Sequence, residues 1–372
     1  MIEILPVLTK KQLSTFIDFP HDLYKGDSNY VPELFLAQQD LFSPKHPFYK
    51  HSTSQAFLAY KGGKLVGRIA AIWNTNHNQQ NNLKEGHFGF FETINDQEVA
   101  DALLKKAGEW VTTKGAETLV GPINLTTNDT CGLLIEGFDK PPMAMMPYNP
   151  PYYIDLLTNA QFNQQVDLRA YWIYTKNASQ RSVLLLDKLE TRLQRSGITL
   201  REINLKDFKN EAKKIQQVYN KAWDKNLGFV PMTDDEFAHT AKDLKTIVNP
   251  KFCILAEKDN EIIGFALGVP NINEILIKIK RGRLLPFGIF KLLFGLKKVK
   301  TLRVLMLGVL DDYRKQGIEA CLYGRIIKNA GTEGIIGAEC SWMLEHNYMM
   351  NHAIEQINGE FYKRYRLYQK GL

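Results

Sequence analysis

Two kinds of apolar pattern alternate along the chain: short apolar runs broken by turn residues, and longer stretches with apolar positions three or four apart. The first kind predicts strands and the second predicts helices. Leu58-Ala59-Tyr60-Lys61 and Leu65-Val66-Gly67 flank a Lys61-Gly62-Gly63-Lys64 turn, the pattern of a β-hairpin. Leu255-Ala256-Glu257-Lys258 and Ile262-Ile263-Gly264 repeat it 197 positions later, around Lys258-Asp259-Asn260-Glu261. A weaker echo pairs Asn149 with Asn347 and Phe162 with Phe361. After the first hairpin, His87 to Thr93 reads as a strand and Val99, Leu103, Ala107 and Trp110 as a helical stripe. Asn95 and Glu98 are placed to cap that helix and Gly115 to end it, before a strand at Thr118-Leu119-Val120. In the second half, Phe208 to Trp223 reads as a helix before the hairpin. Leu302 to Val309, Ile318 to Ala330 and Ile335 to Leu344 follow as strand, helix and strand. The pattern predicts an α/β protein of the α+β mixed-sheet kind, made of two domains of one fold. Their boundary is expected near residues 165 to 185, which divides the chain into domains 1-175 and 176-372.

At 372 residues, with 44% hydrophobic and 23% charged positions, the chain is long enough for two buried cores and excludes whole-chain disorder or coiled coil. Its formal charge of +7 permits an anionic partner without requiring one. Cys131, Cys253, Cys321 and Cys340 are widely spaced, without a CxxC pair, as suits a reducing compartment. The start of the chain has no leader pattern, and the longest nearly uncharged stretch, Leu284 to Leu296, is too short to span a bilayer, so a cytoplasmic protein is expected. No histidine spacing such as HExxH occurs, so no metal site is expected.

The segment from Gly308 to Ala320 joins a predicted strand to a predicted helix. A helix start with unpaired backbone N–H groups, a glycine at Gly317 and cations at Arg314 and Lys315 would suit a diphosphate. An ordinary strand-to-helix turn with exposed basic residues is the simpler alternative. Val309, Arg314, Gly317, Ile318 and Leu322 resemble the coenzyme loop of the GNAT acyltransferase superfamily, and Met343-x-x-x-Asn347 is similar to that family's strand exit. The resemblance covers most of residues 190 to 372. It implies that the amides of Lys315, Gln316, Gly317 and Ile318 hold the diphosphate of acetyl-CoA or another acyl-CoA, with Val309, Arg314 and Asn347 completing the coenzyme site. Gly121-Pro122-Ile123-Asn124, the run from Met146 to Tyr153 and the ending Tyr362 to Tyr368 extend the likeness to tandem two-domain bacterial GNAT-like proteins. Two positions depart from the superfamily pattern: Glu319 puts a carboxylate beside the phosphate turn, and Ile354 stands where many members carry a tyrosine acid. In the first half the matching turn, Ile94-Asn95-Asp96-Gln97-Glu98, carries two carboxylates and should repel a diphosphate.

Acylation of an amine needs a free amine, a held carbonyl and, optionally, an acid for the thiolate. Glu339 is the candidate base, with Glu345 behind it; Tyr348 and Tyr323 are candidate acids. Their bland counterparts are an ion-paired edge carboxylate and amphipathic packing. Asn128, Asp129 and Glu136 gather hydrogen-bonding groups that could line an acceptor pocket or simply close a capped loop. Between Ile275 and Arg303 there are nine basic residues and no acidic ones, around an apolar run from Leu284 to Phe294. This insertion at 275-303 could meet an anionic membrane weakly, wall an acyl chain, or pack on its own sheet with a solvated basic face. The leading expectation is N-acyl transfer, most simply N-acetyl transfer, to a small-molecule or peptide amine. A non-catalytic GNAT-like binding protein and a Fem-like transferase using aminoacyl-tRNA are the alternatives. Nucleic acid ranks last because few aromatics interleave the cations.

Overall fold

The computed structural model describes residues 1–177, 180–223 and 229–372, with side chains from residue 185 onward in the helix that begins at Gln180. The chain opens with β1 (Ile2–Pro6), α1 (Lys10–Leu23), α2 (Phe35–Leu41), β2 (Thr53–Lys61), β3 (Lys64–Trp73), α3 (Thr75–Asn81) and β4 (Glu85–Thr93). Then come α4 (Gln97–Thr112), β5 (Thr118–Gly121), β6 (Leu133–Glu136), α5 (Tyr153–Asn159), β7 (Asn163–Tyr174), α6 (Gln180–Arg195), β8 (Ile198–Glu202) and α7 (Phe208–Ala222). After α8 (Asp234–Lys245) follow β9 (Cys253–Lys258), β10 (Glu261–Pro270), α9 (Asn273–Leu276), α10 (Gly288–Gly295) and β11 (Thr301–Val309). The chain closes with α11 (Ile318–Thr332), β12 (Gly337–Leu344), α12 (Tyr348–Gln356) and β13 (Glu360–Gly371). Among the described residues no helix is long and apolar enough to cross a membrane.

Two compact units emerge. The first comprises Met1–Arg169, Asn273–Leu293 and Lys363–Leu372; the second comprises Ala170–Ile272 and Phe294–Tyr362. Each repeats one plan. In the first, β1 to β4 pair antiparallel in succession and β5 joins β4 in parallel. In the second, β8 to β11 pair antiparallel in the same succession and β12 joins β11 in parallel. The echoed hairpins fall at β2/β3 and β9/β10. Both turns need positive φ at two successive residues, met by Gly62 and Gly63 (59° and 76°) in one and by Asp259 and Asn260 (50° and 65°) in the other.

Each unit buries both faces of its strands. On one face of the first, Val99, Leu103, Ala107 and Val111 of α4 pack on Phe57, Ile69 and Phe88; on the other, Phe16 and Ile17 of α1 pack on Leu58, Ile72 and Phe90. The stripe of α4 thus continues to Val111, with Trp110 only half-buried. The cap of α4 is also one residue later than the sequence suggests: Asp96, not Asn95, accepts from the amides of Glu98 and Val99. In the second unit, α11 covers one face through Ile318, Leu322 and Ile326, and α7 covers the other through Ile215, Val218 and Tyr219. All four cysteines are buried free thiols. Burial pushes Cys253, Cys321 and Cys340 up to about 12, which suits packing and not nucleophilic attack.

Candidate functional site

The parallel strands β11 and β12 stay in register for four pairs, from Thr301 with Gly337 to Val304 with Cys340. Beyond that point their ladder stops, while β11 remains paired to β10 through Val309. Among the described residues the two strands therefore part toward their C-terminal ends, and residues 305–309 are not paired to β12. At that end the chain turns into α11. Lys315 and Gly317 both adopt left-handed backbone, with φ of 63° and 89°. A turn of this kind directs successive N–H groups to one side, and α11 begins at Gly317 with no side-chain cap on its first amides. Glycine is required at position 317 twice over, by its φ and because an added Cβ would lie 2.8 Å from Leu189 Cδ2. Lys315 and Gln316 are exposed beside the turn.

Arg314 is committed to the turn itself. Its Nε donates to the Val309 carbonyl (3.2 Å) and its Nη2 to that of Ala222 (2.8 Å), and it pairs with Asp311 at 3.1 Å. It therefore staples the strand end to the last turn of α7. Glu319 lies partly exposed in the first turn of α11. Asn347 caps α12, its Oδ1 accepting from Met350 N at 3.2 Å. Tyr348 beside it is 78% exposed, whereas Tyr323 and Ile354 are buried core residues. A tyrosine at 354 would point into packing. An apolar cavity of only about 20 Å³, lined by Val304, Tyr323, Ala338 and Cys340 among others, is no channel for an acyl chain.

Glu339 is not the sheet-edge residue that its sequence position suggested, because β12 lies between β11 and β7. Arg303 sits directly opposite it across the ladder. The enclosed carboxylate accepts from Ser341 Oγ at 2.6 Å and from the Tyr362 hydroxyl, with Arg303 Nε at 3.7 Å. Arg303, one of the nine cations of 275-303, is buried here, made tolerable by Ser341 and Glu339.

The first unit treats its equivalent gap and turn in the opposite way. The β4/β5 ladder ends at His87 with Val120, and the following chain folds back to fill the opening. Ile123 N donates to the Phe88 carbonyl at 2.8 Å, and Asn124 Oδ1 accepts from Phe90 N at 2.7 Å. Gly89 allows this close approach, since a Cβ there would lie 2.1 Å from the Ile123 carbonyl oxygen. At the start of α4, Asp96 already occupies the amides and Lys61 bridges Asp96 and Glu98 at 2.6 and 3.1 Å. Asn128 and Asp129 belong to a self-bonded loop, in which Asp129 Oδ2 accepts from Thr126 Oγ1 at 2.7 Å and Asn128 N donates to the same hydroxyl at 3.1 Å. Glu136 pairs with Arg364 at 3.2 Å.

Two clusters escaped the sequence reading. His77 Nε2 lies 2.9 Å from Glu85 Oε2, and His87 Nε2 3.9 Å from the same oxygen, three donor atoms that could hold a metal ion. Elsewhere in the first unit, half-buried Glu92 accepts from Tyr24 and Tyr153 hydroxyls at 2.7 and 2.8 Å, with Arg68 Nη2 at 3.9 Å. Burial raises the Glu92 carboxyl above its ordinary value, and Arg68 opposes the shift. Only the alternation of Glu85 and His87 along a strand hinted at either cluster.

No protein-family model matches the chain. Protein YghO of Escherichia coli is 38% identical over 371 residues, covering 98% of this chain and 94% of that protein. Bacterial ceramide synthase of Caulobacter vibrioides is 34% identical over 382 residues, covering 100% of this chain and 98% of its own. Among solved structures, a tandem GNAT protein from the clavulanic acid biosynthesis pathway superposes with a TM-score of 0.59 at 10% identity, covering 100% of this chain and 98% of that one. The chain belongs to one family with these two relatives, and its fold is that of a tandem GNAT protein. The parting of β11 from β12 in the second unit thus has a filled counterpart at β4/β5 in the first.

Proposed function

We propose that this protein transfers an acyl group from acyl-coenzyme A to an amine, and that the second unit carries the coenzyme. The observation that carries the reading is the coincidence, in that unit alone, of parting strands and an uncapped helix start. Lys315 to Ile318 would offer amides to the diphosphate, and residues 305–309, not paired to β12, would offer an N–H to the thioester carbonyl. The amine nitrogen attacks that carbonyl and gives up one proton, the C–S bond breaks, and the departing thiolate takes up one proton, leaving an amide and a free thiol. Tyr348, exposed at the start of α12, is the candidate donor, since Tyr323 is buried in the core. The acceptor is less defined. A ceramide is the amide of a fatty acid with a long-chain amino alcohol, so the full-length likeness to bacterial ceramide synthase supports a long-chain amino alcohol as acceptor and a fatty acyl group as donor.

The test is a mass-spectrometric assay of the purified chain with acyl-coenzyme A thioesters of graded length and a panel of amines including long-chain amino alcohols. Amide product and free thiol should appear in equal amounts, and Gly317→Glu should abolish both. Coenzyme binding without product from any amine would favour the non-catalytic reading; no coenzyme binding would remove the proposal.

A further inference from the structure

The segment between α9 and the middle of α10 holds itself to the first unit with its small and aliphatic residues and leaves its large apolar ones outside. Ile275, Leu276 and Ile279 are buried, and Asn273 Nδ2 donates to the carbonyls of Pro142 and Met143 at 2.9 and 3.0 Å. Gly282 passes so close to the chain that a Cβ would lie 1.7 Å from the Glu33 carbonyl oxygen. By contrast Leu285, Phe287, Phe290 and Leu293 are 79%, 73%, 55% and 58% exposed. Phe287, Phe290 and Leu293 recur three apart and so share one side of the helix. A cluster of such residues on a water-exposed surface marks a binding face and needs a partner.

The charges nearby indicate which partner. Lys278, Lys280 and Lys291 are exposed within the same segment, which has no acidic residue from Ile275 through Leu293. The acidic groups that do approach it are already neutralised: Asp18 pairs with Arg283 at 2.7 Å, and Asp22 pairs with Arg281. Exposed cations flanking exposed aromatics complement a surface that is anionic outside and apolar beneath. A protein groove or a second copy of this chain would have to supply matching acids as well as an apolar wall, and a bilayer supplies both at once.

We propose that residues 278–293 form a docking surface for an anionic lipid bilayer, with Leu285, Phe287, Phe290 and Leu293 entering the interface and Lys278, Lys280 and Lys291 meeting headgroups. The proposal stands on this segment alone and does not require the acyl-transfer reading, although such a surface would bring a lipid acceptor to the protein.

The experiment is flotation of the full chain with vesicles of phosphatidylglycerol and phosphatidylcholine, beside vesicles of phosphatidylcholine alone, at low and high salt. Wild type should float with the anionic vesicles at low salt, and the bound fraction should fall with salt. The double variant Phe287→Ser, Phe290→Ser should lose binding at every salt, and Lys278→Glu with Lys280→Glu should reduce it to the level seen on phosphatidylcholine. Because all four residues are exposed, folding is checked by circular dichroism, and Phe290→Trp adds a fluorescence blue shift on vesicle addition. No floating wild-type fraction at low salt overturns the proposal, as does equal binding to both vesicle types. A dimer that dissociates in the serine variant, without flotation of wild type, would assign the face to a second copy and overturn it equally.

Discussion

Arg303 and Glu339 face each other across the parallel ladder, 1% and 0% exposed, with Nε 3.7 Å from Oε1 and Ser341 hydrogen-bonded to both. Burying either charge alone would be prohibitive, so the pair holds β11 and β12 together one residue pair before their ladder ends. Glu339→Gln leaves the guanidinium buried without its counter-charge, and the expected loss is about 3–5 kcal/mol of folding stability. Urea unfolding measures it. A variant of wild-type stability whose turnover nevertheless collapses would return Glu339 to the role of a base.

Gly317 and Asp96 should separate the two units by function. Gly317→Ala puts a side chain at a φ of 89° and against Leu189, so a stability cost of about 1–2 kcal/mol should accompany weaker coenzyme A binding. Asp96→Ala removes the cap of α4, with an expected cost of about 1 kcal/mol and no effect on coenzyme A. Calorimetric titration of both variants checks this. A change in affinity only in the Asp96 variant would move the coenzyme to the first unit.

Asn124 Oδ1 accepts from Phe90 N at 2.7 Å, just past the end of the β4/β5 ladder. Asn124→Ala leaves Phe90 N without its acceptor in a packed interior, and about 1–3 kcal/mol should be lost. Asn124→Asp, which keeps an acceptor oxygen, should recover part of that loss. Equal stability of wild type and the alanine variant in urea would mean that water takes over the bond and the gap is not sealed.

The doubled plan was legible because hairpins advertise themselves: two-residue turns demanding positive φ leave Gly-Gly or Asp-Asn between apolar runs, and a fixed offset between two of them exposes the repeat. The turn before α11 was legible because Gly317 answers a backbone need. What sequence hid was partnership. Nothing local to Glu339 shows that Arg303 lies opposite, 36 positions earlier in the chain, because that depends on strand register. The cap at Asp96 and the role of Asn124 as a plug were hidden for similar reasons: a side chain's target is fixed by where other segments pass. The apolar run at 284–294 left three readings open. Its composition suits a buried helix, and only the geometry reveals that Gly282 and Ile279 do the anchoring while the phenylalanines are left outside.

His21 offers a test by pH. Burial, aided by Arg281 and Arg68, lowers its pKa to about 4, against an opposing pull from Asp22, while Tyr30 hydroxyl meets Nδ1 at 2.9 Å. The folded protein therefore keeps this imidazole neutral at pH values where the unfolded chain, with an ordinary pKa of about 6.5, protonates it. More protons bound in the unfolded state means stability that falls as pH falls, beginning near 6.5 and ending as the folded group itself titrates near 4. The contribution to the slope is at most about 1.4 kcal/mol per pH unit. His21→Asn removes the titration, so the difference in urea midpoint between pH 7 and pH 5 should be smaller in the variant than in wild type. Neighbouring carboxylates titrate in both proteins and cancel in that comparison. Parallel pH profiles would mean that His21 protonates in the folded state as readily as in the unfolded one, and that its surroundings are wetter than the packing of Tyr24, Tyr30 and Arg68 implies.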